Sequence, residues 1–134
     1  MPLERARRRT DFDLLILACG LHSAAFALFH LGFWRLFDWP RTLQTTTRPN
    51  RAIVQIANAQ LVWLFGVVAL LCFVMPDELG STRLGQAVLA GMAGFWWLRL
   101  VLQCVWLRLQ HPLVHVLSAT FLIGAVLYTI AALF

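Results

Sequence analysis

The sequence predicts an all-α, polytopic membrane protein, a bundle of four transmembrane helices that forms one domain over residues 1–134. Composition is the first observation behind this prediction: 60% of the residues are hydrophobic and 13% are charged. A soluble domain of this length has too little interior to bury so much apolar surface. The second observation is that the apolar residues fall into four long segments with short polar connections, as helices that cross a membrane do.

Each of the four segments reaches the roughly 20 residues that are needed to cross a hydrocarbon core about 30 Å thick. The segments cover residues 14–37, 52–75, 84–107 and 112–134. Residues that break or start helices lie at their borders, namely Pro40, Pro49, Pro76, Gly80 and Pro112. An Arg-rich stretch precedes the first segment, which is longer than the apolar part of a signal peptide, so we interpret it as a retained helix.

The charge distribution favours a membrane over nucleic acid as the partner. All 11 basic residues are Arg, and they cluster near the predicted helix ends. Lipid phosphates are therefore the expected counter-ions of the net charge of +5, and no nucleic-acid partner is expected. The Arg residues divide almost equally between the two ends of the bundle, so the positive-inside rule leaves the orientation open.

Small residues are spaced for close helix contact in the first and third segments. They are Gly20, Ser23, Ala24 and Ala27 in the first, and Ala87-x-x-x-Gly91 and Ala90-x-x-x-Gly94 in the third. Such patterns let two helix backbones approach closely. Packing inside the bundle and contact between copies in a homo-oligomer both explain this pattern, and the sequence leaves the two alternatives open.

Polar residues inside the segments converge on one end of the bundle. Neighbouring segments run in opposite directions, so the end of the first meets the start of the second, the end of the third and the start of the fourth. We call this the far end. At 1.5 Å per residue, the polar residues reach about 5–14 Å in from it. They are His30, Gln55, Asn58, Arg99, Gln103, His115 and Ser118, with Arg51 and His111 at the mouth of this layer.

Of these residues, Arg99 most needs a partner that neutralises or hydrogen-bonds its side chain. A mid-span Arg costs about 2.5–3.5 kcal/mol against lipid, so the layer is expected to face the bundle interior. The four segments contain no Asp or Glu that could neutralise Arg99. Amide side chains, lipid phosphate or an anionic ligand remain as its partners.

The leading hypothesis is therefore a non-enzymatic membrane protein with a pocket for a lipid headgroup or another anionic small molecule. In this hypothesis Arg51 and Arg99 supply charge to the ligand. The side chains expected to orient it are Gln55, Asn58, Gln103, His30 and His115. An alternative is an accessory or oligomeric membrane subunit whose polar layer only locks helix packing.

A second alternative is a redox protein that binds haem or quinone. His30 and His115 lie at similar depth on the first and fourth segments, as axial haem ligands across a bundle would. The layer lacks the carboxylates and thiolates typical of other metal sites, so neither a metal nor a cofactor is expected. No phosphate-binding Gly-rich loop, G-x-S-x-G or H-E-x-x-H motif occurs, so no catalytic residue is assigned.

Three stretches of the chain resemble a group of small bacterial four-helix membrane proteins. They are His30–Trp39, Asn50–Asn58 and Phe95–Gln103. The resemblance extends over about residues 25–108 of this sequence. It implies a multi-pass protein of the bacterial inner, or cytoplasmic, membrane, and it implies no particular activity.

Overall fold

A computed structural model of the chain describes residues 2–107 and 111–134, and over these residues the structure is helical with no strand. The elements are α1 Pro2–Leu31, α2 Phe33–Leu36, α3 Trp39–Thr42, a 3-10 turn Leu43–Thr45, α4 Arg48–Val74, α5 Pro76–Ser81, α6 Arg83–Trp106 and α7 Pro112–Leu133. Four of these helices, α1, α4, α6 and α7, are long and apolar enough to cross a membrane by length and composition. The all-α class is confirmed, and the four helices indicate a multi-pass membrane protein.

The bounds of α4, α6 and α7 lie within four residues of the predicted segments, whereas those of α1 do not. The predicted start at Leu14 is wrong because the helix already begins at Pro2. Residues 2–13 contain four Arg together with Leu3, Glu4 and Ala6, residue types that favour helical backbone, but the segment is not apolar enough to mark a membrane span.

The predicted end of the first segment at Phe37 is also wrong, because α1 ends at Leu31. Asp38 adopts left-handed backbone angles, φ 46° and ψ 50°, which Asp tolerates better than most residues. Trp39 follows this turn and is buried, with its ring centroid 4.9 Å from that of Trp34. The connection between α1 and α4 therefore folds over the far end of the bundle.

The four long helices pack in the order α4, α1, α7, α6. Helix α1 packs against both α4 and α7, and α6 packs against α7, but α4 and α6 make no extensive backbone contact. On the side of the bundle between α4 and α6, the contact is made by side chains. Phe65 of α4 stacks on Trp96 of α6 with ring centroids 5.3 Å apart and an interplanar angle of 9°.

The centre of the bundle is a cluster of four aromatic rings, one from each long helix: Phe26, Phe65, Trp96 and Phe121. We call it the ring cluster. Trp96 lies between Phe65 and Phe121, stacking on the latter at 5.8 Å and 24°. Phe26 contacts the other three rings at centroid distances of 4.6–5.8 Å. The cluster fills the space that the separated backbones of α4 and α6 leave open.

Helices α1 and α7 are also joined by a buried hydrogen-bond chain. The Tyr128 hydroxyl donates to the backbone carbonyl of Cys19 at 3.0 Å. Because this uses the phenol hydrogen, the Ser23 hydroxyl donates to the Tyr128 oxygen, at 2.6 Å. Tyr128 and Ser23 are both fully buried.

The small residues of α6 do not pack inside the bundle. Ala87, Ala90, Gly91 and Gly94 are all exposed. A Cβ added at Gly91 or Gly94 would meet nothing within 4 Å among the residues described. Intramolecular packing is therefore wrong as the explanation of the small residues of α6. It is confirmed at Gly20 of α1, where an added Cβ would collide with Cys72 and Phe73 of α4.

Candidate functional site

A cavity of about 750 Å³ lies between the ring cluster and the far end. All four long helices line it, together with residues from the two connections at that end. Its walls are mainly aromatic and aliphatic. Among the described residues, His30, Arg99 and His111 line it with polar side chains, and the indole of Trp96 adds a buried N–H that has no hydrogen-bond partner among these residues.

Arg99 brings a positive charge to the wall of this cavity. Its side chain is half-buried, and its guanidinium carbon lies 4.4 Å from the centroid of the Phe121 ring. Within residues 2–107 and 111–134, the two ion pairs present join Arg9 to Asp77 and Arg41 to Asp38, so no carboxylate pairs with Arg99. The cavity therefore contains a cation whose partner among the described residues is an aromatic ring.

His30 contributes a hydrogen-bond acceptor. Its Nδ1 donates to the Phe26 carbonyl at 2.8 Å, and the neutral ring therefore keeps a free lone pair on Nε2. The ring stacks on Phe33 with centroids 4.4 Å apart and an interplanar angle of 24°. These two contacts hold the orientation of the imidazole.

His111 is a cavity residue that the predicted site did not include. It precedes α7, where its Nδ1 accepts a hydrogen bond from the Leu113 N–H at 3.2 Å. The neutral ring then carries its hydrogen on Nε2, which is a donor. Its place before Pro112 is the signal that could have identified it, since residues in this position cap a helix and their side chains do not follow the helical periodicity.

Asn58 and Gln103 are buried, as predicted, but they join helices and do not line the cavity. The Asn58 amide donates to the His30 carbonyl at 3.0 Å, joining α4 to α1. The Gln103 amide donates to the Ser118 hydroxyl at 3.4 Å, joining α6 to α7. Their amide oxygens are buried without a hydrogen-bond partner among the described residues.

Arg51 and Gln55 lie apart from the main cavity, contrary to the predicted site. The Arg51 guanidinium donates to the carbonyls of Leu43 and Gln44, at 2.9 and 3.2 Å. Gln55 donates to the Arg51 carbonyl at 3.2 Å. Both line a second cavity, of about 250 Å³, beneath the connection between α1 and α4. The charge of Arg51 is thus used to hold that connection.

The prediction that His115 faces the bundle interior is wrong, because its side chain is exposed. The buried face of α7 is centred near Phe121 and Tyr128. At 100° per residue, His115 lies about 120° around the helix from Phe121. His30 and His115 consequently do not face each other as the axial ligands of a haem would.

Comparison with known proteins leaves the site without a counterpart. No protein-family model, curated protein or solved structure matches this chain significantly. The function of the cavity is therefore argued from its own residues.

Proposed function

We propose that this chain is a four-helix multi-pass protein of the bacterial cytoplasmic membrane that binds an amphipathic anion in the main cavity. The observation that carries the proposal is Arg99, a half-buried cation on an apolar wall with no carboxylate partner in the described part of the chain. The anion is a lipid or another anionic small molecule with an apolar body.

Charge is the first argument. A charge that is buried without an opposite partner is costly in a protein interior. The Phe121 ring offsets part of this cost, since a cation–π contact contributes about 0.5–2 kcal/mol. A guanidinium binds a carboxylate or phosphate through two parallel hydrogen bonds, which adds charge neutralisation and directional contacts. An anion therefore satisfies Arg99 better than the ring does alone.

Cavity shape and lining are the second argument. Small-molecule sites are mostly apolar concavities of about 300–1,000 Å³ with a few polar groups that orient the ligand. The main cavity, at about 750 Å³, has this size and this lining. The Nε2 lone pair of His30 and the Nε2–H of His111 can orient a bound polar group, and the aromatic walls accommodate an apolar body.

The proposal is tested by native mass spectrometry of protein purified in mild detergent, comparing wild type with Arg99→Gln. We expect the wild type to retain an anion and Arg99→Gln to lose it. Arg51→Gln is the matched control: it removes the same charge, but from a guanidinium that is bound to the connection, and it should retain the anion. Arg99→Lys should lose most of the anion, because an ammonium does not reproduce the planar pair of donors.

Thermal melting of the same variants separates binding from structure. Loss of the anion with an unchanged melting temperature supports the proposal. A lower melting temperature of Arg99→Gln with an unchanged ligand content would assign Arg99 to helix packing and refute the ligand site. A wild-type protein that neither retains nor takes up an anion would also refute it.

A further inference from the structure

The side chain of Arg99 carries its charge away from the far end of the bundle. Arg99 lies seven residues before the last residue of α6, which places its backbone about 10 Å inside the far end. Helix side chains lean towards the N-terminus of their helix, and for α6 that terminus is at the opposite end. The guanidinium accordingly contacts the ring of Phe121, whose backbone lies nine residues into α7 and about 14 Å inside the far end, deeper than the backbone of Arg99.

The charge therefore lies at the inner limit of the cavity. Phe121 belongs to the ring cluster, and Trp96, one helical turn before Arg99, belongs to it as well. From this limit the cavity extends towards the far end past Phe29, Phe33 and Leu117. An anion that reaches Arg99 from the far end passes these apolar walls, and the rest of the ligand then fills the cavity behind it.

We infer that the ligand is an apolar monocarboxylate that enters with its acid group first. This inference rests on the proposed function and specifies the chemical class of the anion that the cavity binds. A carboxylate carries one charge and matches the paired donors of a guanidinium. A membrane phospholipid carries its phosphate at the bilayer surface, between the glycerol and the headgroup, and moving this larger polar group past the apolar walls to Phe121 costs more desolvation than moving a lone carboxylate.

Both an alkyl and an aromatic body satisfy this chemistry. The walls are rich in Phe, whose rings favour stacked and edge-on contacts with other aromatic rings. The same apolar walls also favour an alkyl chain, because binding removes its surface from water. The shared feature is the carboxylate at one end, and the experiment distinguishes the two bodies.

The first test measures binding by isothermal titration calorimetry to the protein in zwitterionic nanodiscs. The probes are decanoate, 4-phenylbutyrate, decanamide and monodecyl phosphate. Saturable binding is expected for one or both acids, with no binding of the amide and at least tenfold weaker binding of the phosphate. Arg99→Gln should weaken acid binding roughly 10- to 100-fold, the loss expected for a charge-assisted hydrogen-bonded contact, while Arg51→Gln stays within about twofold of the wild type.

The second test reads the direction of insertion and needs no Arg variant. Bromine quenches tryptophan fluorescence at short range, and Trp96 lies at the inner limit of the cavity. The part of the quenching that Trp96→Phe removes, and that is therefore due to Trp96, should be larger for 2-bromodecanoate than for 10-bromodecanoate. A larger Trp96 contribution for the 10-bromo acid would show that the tail enters first and would overturn the inference.

The outcomes separate this inference from the proposed function. Binding of the phosphate at least as tight as that of decanoate, lost in Arg99→Gln, overturns the carboxylate assignment and leaves the anion site standing. Absence of saturable binding for all three anions refutes both. Tighter binding of decanoate or of phenylbutyrate identifies the body of the ligand as alkyl or aromatic.

Discussion

The guanidinium of Arg99 lies 4.4 Å from the centroid of the Phe121 ring, and this contact joins α6 to α7 at the inner limit of the cavity. The ring presents its electron-rich face to a charge that no described carboxylate neutralises. The same contact keeps the guanidinium at the cavity wall, where a ligand can reach it. The contact therefore bears on the stability of the bundle and, under the proposed function, on ligand binding. The two effects can be measured separately.

A double-mutant cycle of Arg99→Gln and Phe121→Leu measures how much this contact contributes to the free energy of unfolding. We expect a coupling free energy of about 0.5–2 kcal/mol in ligand-free protein, the range of cation–π contacts. Phe26→Leu is the control, because Phe26 belongs to the ring cluster but the guanidinium lies over Phe121. Its coupling to Arg99→Gln should be close to zero. Equal coupling in both cycles would mean that general packing, and not the contact with Phe121, is being measured.

Gly124→Ala should destabilise the contact between α1 and α7. A Cβ at this position would collide with the His22 ring and come within 3.0 Å of the Trp96 ring. Overpacking of this kind costs about 1–3 kcal/mol. Gly94→Ala is the matched control, since its Cβ meets nothing among the described residues. Reversible unfolding should show a loss for Gly124→Ala alone, and equal stability of the two variants would contradict this helix packing.

Tyr128→Phe removes both the donor to the Cys19 carbonyl and the acceptor for the Ser23 hydroxyl. We expect a loss of about 0.6–1.7 kcal/mol in the free energy of unfolding, as measured for hydrogen bonds between membrane helices. Ser23→Ala should cost less, because it leaves the bond to Cys19 intact. The double variant should be no less stable than Tyr128→Phe. Additive losses would show that the two hydroxyl groups act independently.

Arg51→Gln should loosen the α1–α4 connection around Leu43 and Gln44, two residues that do not line the main cavity. It removes two hydrogen bonds from a charged donor, those to the carbonyls of Leu43 and Gln44. Such bonds contribute about 1.5–3 kcal/mol, so local opening should rise about tenfold or more. Trypsin cleavage after Arg41 in detergent reports this opening. Arg83→Gln, at the opposite end of the bundle, is the control and should leave the cleavage rate unchanged.

Hydropathy was sufficient to place α4, α6 and α7, because the length of an apolar segment is set by membrane thickness. It could not place the start of α1, where charged residues with high helix propensity extend the helix beyond the apolar segment. The end of α1 was also missed, because the helix is interrupted at Gly32 and helical backbone resumes as α2, Phe33–Leu36. Apolar periodicity does not report such an interruption.

The candidate site was predictable in part for a related reason. Burial cost alone indicated that His30 and Arg99 would avoid lipid, and both line the cavity. Periodicity shows which residues share a helix face, but it does not show which face packs inside the bundle. His115 lies on a face of α7 that is exposed. The order of helices around the bundle is likewise not a local property of the chain. The aromatic cavity, which depends on the separation of α4 from α6, could not be foreseen.

The bond between Tyr128 and the Cys19 carbonyl also affects the order of events during biosynthesis. Helix α1 can pair with α4 as soon as both have left the translocon, but its Cys19 carbonyl and Ser23 hydroxyl receive their partner only from α7. Until then Ser23 can donate to the Cys19 carbonyl one turn back on its own helix. Insertion of α7 exchanges this bond for the interhelical one. The same step delivers Phe121, so a nascent chain has no complete cavity until its fourth long helix has entered the bilayer.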